Sequence, residues 1–145
     1  MKISTKIRYG LRMLINFAMK YGQGVSQLSD VAKNENVSEK YAEQIVRLLK
    51  LNKILISHRG AKGGYTLSMP PSKINVLMIW EALDGELNII DCLRDADCSR
   101  FDLCVTRIVW EKLNKNIKET LRNITLQELA DNYKKQRKEK LNYEI

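Results

Sequence analysis

The stretch SEKYAEQIVRLLKLNKILISHRGAKGGYTLSM, residues 38 to 69, changes its periodicity once, and that change constrains the fold more than any other feature of the chain. Up to Asn52 the apolar residues Tyr41, Ile45, Leu48 and Leu49 recur at helical spacing, leaving Lys40, Glu43, Gln44 and Arg47 on the opposite face. Ser38 stands at the N-cap position, where its hydroxyl can accept from a first-turn N–H. Beyond Asn52, the β-prone runs ILIS and YTLSM flank RGAKGG, which predicts a two-stranded hairpin with Arg59 and Lys62 at a glycine-rich tip. Upstream, Ser26 predicts the cap of a short helix through QLSDVAK that ends near residues 34–36. Two short helices joined by about four residues describe a helix-turn-helix. With the hairpin directly after it, the order is that of a winged helix.

The remaining elements follow from the same rules. Ile7, Leu11, Leu14 and Ala18, with Ile15 and Met19 beside them, predict an amphipathic helix over residues 4–21 that stops at Gly22 and Gly24. VLMIWEALD predicts a helix over 76–84. Val105, Val109, Leu113, Ile117 and Leu121 step by four, giving a helix of about 18 residues, roughly 27 Å long. A helix that long on a small domain needs a partner, and a second copy of the chain supplies one; packing back on its own domain is the alternative. Thr125 and Glu128 match a capping box for a last helix, and the evenly charged tail NYKKQRKEKLNYEI reads as a frayed end. The expected architecture is mostly α with a small β-hairpin. A winged helix-turn-helix domain over 1–75 precedes a region over 76–145 that carries a cysteine loop and a long dimerisation helix.

Charge divides along the same line. Residues 1–65 hold 12 Lys and Arg against 4 Asp and Glu, whereas residues 66–145 hold 13 of each. The whole excess of +8 therefore sits in the helix-turn-helix half. A basic half of this kind fits a polyanion, most often nucleic acid. No apolar run approaches the roughly 18 residues of a membrane span, and charges interrupt the N-terminal segment where a secretion signal would be apolar. A cytoplasmic protein without a membrane is expected.

All three cysteines fall in DCLRDADCSRFDLC, residues 91–104, with five residues between successive thiols. Residues 81–104 carry seven carboxylates against two arginines, so this is the acidic part of a basic protein. An odd number of thiols argues against a disulfide framework. Four readings of Cys92, Cys98 and Cys104 stay open on the residues alone: cluster or metal ligation, a zinc site, a thiol switch without metal, and packing. Zinc sites usually show C-x2-C pairs, and packing cysteines sit in apolar segments, so both fit this stretch poorly.

IRYGLRML at the start, VSEKYAEQIVRLLK, the hairpin ISHRGAKGGYTL, the C-x5-C-x5-C spacing, CVTRIVWEKL and NITLQELAD together resemble the iron–sulfur regulators of the IscR/NsrR type. These are bacterial winged-helix transcription factors of the Rrf-two type, and the likeness spans residues 1–130 or so. It implies a homodimeric transcriptional regulator whose binding to double-stranded operator DNA depends on an iron–sulfur cluster, 2Fe-2S or 4Fe-4S, held by Cys92, Cys98 and Cys104. Redox state, nitric oxide or iron–sulfur supply would be the signal. The likeness departs at the fourth ligand. Arg107 occupies the position of the histidine found in IscR-like members, and Arg8 that of the aspartate which NsrR-like members borrow from the partner. Asp91, Asp95, Asp97 and Asp102 are the nearby oxygen donors, with Ser4, Thr5 and Tyr9 of a partner as further ones.

For DNA, the helix after Ser38 is expected in the major groove and the hairpin tip on the backbone or minor groove. Lys40 and Gln44 can read base edges and Ser38 can donate to phosphate, with Tyr41 and Arg47 on the same helix. Arg59 and Lys62 can neutralise phosphates. Glu43 accepts from a cytosine amino group or pairs with Arg47 at i+4. Catalysis is not expected: His58 is the only histidine, so no Ser/His/Asp set can form, and the RGAKGG glycines lie between strands rather than before a helix. The alternative within the fold is a DNA-binding regulator of the cysteine-metabolism type, working through metal-free thiols or a protein partner.

Overall fold

The computed structural model describes residues 2–93 and 99–144. Helix α1, Thr5–Met19, starts where the Ser4 hydroxyl accepts from Ile7 N–H at 3.2 Å and buries Ile7, Gly10, Met13, Leu14, Phe17 and Ala18. Leu11, expected within the apolar stripe, flanks it half-buried together with Ile15 and Met19, expected beside it. Fully burying a side chain of the size of Met13, Leu14 or Phe17 is worth about 1.5–3 kcal/mol each. That burial, rather than helix propensity, holds α1.

Helix α2 spans Leu28–Asn34, and its N-cap is Gln27 without a side-chain cap bond. The expected cap, Ser26, is instead 3% exposed and bridges Tyr65 through Ser26 N–H to Tyr65 O at 3.0 Å and Tyr65 N–H to Ser26 O at 2.8 Å. Strand pairing fixes its backbone and delays the helix by one residue. Asn36, at φ 56°, reverses the chain into helix α3, Glu39–Leu51. There Ser38 accepts from Tyr41 N–H at 3.1 Å, as its position predicts. The deepest face of α3 is Ala42, Ile45, Val46 and Leu49, while Tyr41 and Leu48 pack at its margin.

Strands β1, Leu55–His58, and β2, Gly64–Leu67, pair antiparallel with Leu55 opposite Leu67 and His58 opposite Gly64. Helix α4, Val76–Asp84, matches its sequence-derived bounds; Asn75 caps it, accepting from Met78 N–H at 2.9 Å, and Gly85, at φ 81°, ends it. It buries a broad face, Val76, Leu77, Ile79, Trp80, Ala82 and Leu83, because α1 and α3 both pack on it, and leaves Glu81 and Asp84 exposed.

After 3-10 turns at Asp91–Leu93 and Phe101–Leu103, helix α5 covers Arg107–Arg122. Helix α6, Leu126–Glu144, begins where Glu128 N–H donates to Thr125 Oγ1 at 3.1 Å. Two backbone bonds, Val76 N–H to Ile124 O and Leu126 N–H to Ile74 O, tie its start to that of α4. Leu126 and Ala130 then enter the core against α1. The tail expected to fray continues as helix to Glu144, exposed throughout, because Lys, Arg, Gln, Glu and Leu are all good helix formers.

Candidate nucleic-acid interface and thiol segment

The order α2, turn, α3, β1, β2 sets one face of the molecule. Lys40, Glu43, Gln44 and Arg47 are exposed on α3, opposite the buried Ile45 and Val46. Burial of the inner face against α1 and α4 leaves these four no other direction. The i+4 ion pair that the spacing of Glu43 and Arg47 permits is not formed among the described residues, so both charges stay open to a ligand. Ser38 has one acceptor site engaged by the cap and remains exposed. Arg59 and Lys62 are exposed at the hairpin tip, where Gly60 takes φ 110° and Gly63 N–H donates back to Gly60 O at 2.9 Å. His58, behind the tip, has its Nε2 2.8 Å from Thr66 Oγ1.

Tyr41 differs from its neighbours. It is half-buried, and its ring meets the edge of Tyr9 with centroids 6.0 Å apart. Arg12 lies over Tyr9 at 5.0 Å and donates to Glu35 Oε2 at 2.7 Å; Asn16 Nδ2 donates to Glu35 Oε1 at 2.8 Å, and Asn34 Nδ2 to Asn16 Oδ1 at 3.1 Å. This network braces the start of α3 against α1 and the end of α2. Sequence reasoning missed it because its members are scattered over residues 9–41 and none has a local motif. The one legible signal was polar Arg12 and Asn16 at i+4 beside the apolar stripe of α1.

Cys92 lies in the turn Asp91–Leu93 and Cys104 directly follows the turn Phe101–Leu103; both are half-buried free thiols. Cys98 and the carboxylates Asp95 and Asp97 lie outside the described residues. Among the described residues, no three Cys, His, Asp or Glu side chains converge on a metal position. Donor chemistry still suits iron: the Thr106 hydroxyl, 3.2 Å from Cys104 Sγ, and next the Arg107 backbone N–H lower the Cys104 thiol from its ordinary value, toward the thiolate that ligates metal. Arg107 pairs with Glu111 at 3.1 Å, and Arg8 donates to Thr5 Oγ1 at 3.3 Å. Neither guanidinium is a metal donor.

Helix α5 buries a single residue, Asn114, whose Oδ1 accepts from Ile89 N–H at 3.0 Å. Its apolar residues face outward: Ile108, Val109 and Leu113 are 53%, 55% and 45% exposed. Ile117 and Leu121 are half-buried against the core.

Comparison with known proteins bears directly on this arrangement. The family model described as Rrf2, iron-dependent transcriptional regulator, matches residues 3–132. The transcriptional regulator CymR of Bacillus subtilis is 38% identical over 130 residues, 90% of either chain. IscR of Pectobacterium carotovorum is 32% identical over 132 residues, 91% of this chain and 80% of that one. Among solved structures, CymR, the global cysteine regulator of B. subtilis, superposes with a TM-score of 0.77 over 90% of this chain and 97% of its own, at 36% identity. IscR of T. potens superposes with a TM-score of 0.75 over 92% and 88%, at 34% identity. No described helix is long and apolar enough to cross a membrane. The winged helix is thus that of a DNA-binding regulator rather than an enzyme, and the chain belongs to the Rrf2 family of transcriptional regulators.

Proposed function

We propose that this chain acts as a homodimer that binds operator DNA through α3 and the hairpin tip and reports redox, nitric oxide or iron–sulfur status through a cluster held by Cys92, Cys98 and Cys104. One observation carries the reading: three thiols within residues 92–104 immediately precede a helix that leaves Ile108, Val109 and Leu113 exposed among the described residues. The likeness to IscR proteins supports it. A cluster bound there would supply iron open to exchange at a position the cysteines do not fill. The chain's own part is to present thiolates on a segment that joins the core helix α4 to α5. The functional division falls near residue 75.

Ile108, Val109 and Leu113 supply the apolar surface that a second copy of α5 would bury. Ordering of the 92–104 segment would then fix the separation of the two α3 helices, which must meet major grooves about 34 Å apart. Anaerobic purification with iron and sulfide analysis tests the proposal. Stoichiometric iron and sulfide with visible absorption, lost in Cys98→Ser, is the expected result. A colourless protein that binds DNA equally well before and after reconstitution overturns the cluster.

A second reading has its own support. The lowered Cys104 thiol and the 38% identity to CymR favour a metal-free thiol regulator, or one that works through a protein partner. In that case Cys104→Ser alone changes the response of DNA binding to oxidant, and iron is irrelevant.

A further inference from the structure

Between the C-terminal ends of α1 and α2 and the outer half of α6 lies a cleft of about 390 Å³ lined by Asn16, Met19, Lys20, Asn34, Tyr133 and Arg137. Two of its lining residues are joined by a hydrogen bond from Asn34 Nδ2 to Asn16 Oδ1, and Asn16 is held in turn by Glu35. Its cations are Lys20 from α1 and Arg137 from α6, the latter stacked 5.6 Å over the Tyr133 ring, which fixes the direction of the guanidinium. Neither cation has an anionic partner among the described residues.

Arg137 belongs to a longer run. KKQRKEK, residues 134–140, holds five cations against Glu139 alone, all exposed on helix, and none of the five forms an ion pair among the described residues. Lys134 and Lys138 stand at i and i+4 with Arg137 between them, an arrangement that repels itself in an isolated helix. The family model ends at residue 132, so the run lies beyond the shared part of the fold.

Place decides what the run meets. Asn34, on the cleft wall, is the last residue of α2, four residues before Ser38 at the N-terminal end of α3. That end is the one a helix-turn-helix presents to base edges while the adjoining helix crosses the backbone. We propose that Lys20, Lys134, Arg137 and Lys138 form a third DNA-contacting element beside α3 and the hairpin. It seats a backbone phosphate between Lys20 and Arg137 and follows the strand outward along α6. Seven helical residues advance roughly 10 Å, the span of about three phosphates at 3.4 Å of axis each. This inference rests on the DNA-binding reading of α3.

Salt dependence tests it, since each phosphate neutralised steepens the fall of log K with log salt by about 0.9. The full-length triple variant Lys134→Gln, Arg137→Gln, Lys138→Gln changes only exposed side chains; circular dichroism confirms its fold. Fluorescence anisotropy on a 40-base-pair mixed-sequence duplex compares it with the parent chain and with Arg59→Gln, Lys62→Gln. The triple variant is expected to bind roughly tenfold or more weakly near 0.1 M salt, with a slope shallower by about two or more. Lysine-to-arginine replacement at 134 and 138 should restore both. A slope equal to the parent's, with the hairpin variant alone affected, overturns the proposal and leaves the run a solvated surface. An unchanged slope with altered dimer dissociation overturns it in favour of a subunit contact. If no form binds any duplex, the reading of α3 fails as well.

Discussion

Arg12 bridges two elements at once: its Nε donates to Glu35 Oε2 at 2.7 Å while its guanidinium lies 5.0 Å from the centre of the Tyr9 ring, whose neighbour across an edge contact is Tyr41 of α3. Through these residues α1 is tied to the start of α3. Glu35→Ala removes the acceptor of both Arg12 and Asn16. Because Arg12 is about half exposed, its pair adds little; most of the loss comes from the part-buried Asn16 bond, for a total of about 1–2 kcal/mol. Urea unfolding should show a lower midpoint at unchanged slope. A shift inside the roughly 0.5 kcal/mol of an ordinary surface change would remove the network from the account.

Two glycines separate strain that side chains absorb from strain that backbone cannot. A Cβ on Gly10 would stand 2.5 Å from Leu83 Cδ1, the movable end of a side chain. Overpacking there costs about 1–3 kcal/mol, and about 1 kcal/mol of helix propensity offsets it in Gly10→Ala. A Cβ on Gly64 would meet Ser26 O, which the two bonds of the Ser26–Tyr65 bridge hold in place. Gly64→Ala must open that bridge, at about 1 kcal/mol per bond plus the steric term. Thermal denaturation should therefore rank Gly64→Ala as the more damaging, and the reverse order would show that the strand is free to shift.

The Cys104 thiol is lowered first by the Thr106 hydroxyl and then by the Arg107 backbone N–H. A lowered value means that thiolate is present at lower pH than in an ordinary cysteine. In metal-free Cys92→Ser, Cys98→Ser protein, alkylation of Cys104 by iodoacetamide should thus rise with pH earlier than for a free peptide thiol. Adding Thr106→Val should move that rise to higher pH. An unmoved profile would assign the whole effect to the backbone donor.

On the proposed DNA face, Gln44 and Lys62 are both exposed but chemically unlike. A side-chain amide read against a base edge is worth about 1–3 kcal/mol of discrimination, so Gln44→Ala should relax preference at one or two base positions. Lys62→Ala should weaken all sequences alike and reduce the salt slope by about 1. Selection of bound duplexes from a random pool distinguishes these outcomes, and equal, sequence-independent losses from both variants would remove Gln44 from base readout.

Local rules were sufficient for much of the molecule. Ser38 and Thr125 cap the helices their spacing marks, and residues 76–84 form the helix their composition predicts. Ser26 was misread because its hydroxyl gives it the same local preference as Ser38, while its backbone is claimed by Tyr65, thirty-nine residues away. The three thiols marked a candidate site by their spacing, whereas the bracing network around Glu35 announced nothing.

The order of elements, the basic first half, the outward set Lys40, Glu43, Gln44 and Arg47, and the clustered thiols were fixed by the chain's own pattern, since periodicity and capping act within a few residues of each position. Only tertiary packing decided that Tyr41 leans on Tyr9, that Ser26 joins the hairpin, that α5 turns Ile108, Val109 and Leu113 outward, and that Arg137 comes beside Asn34. Contacts between residues distant in the chain depend on how whole faces bury against one another, and no local spacing encodes that choice.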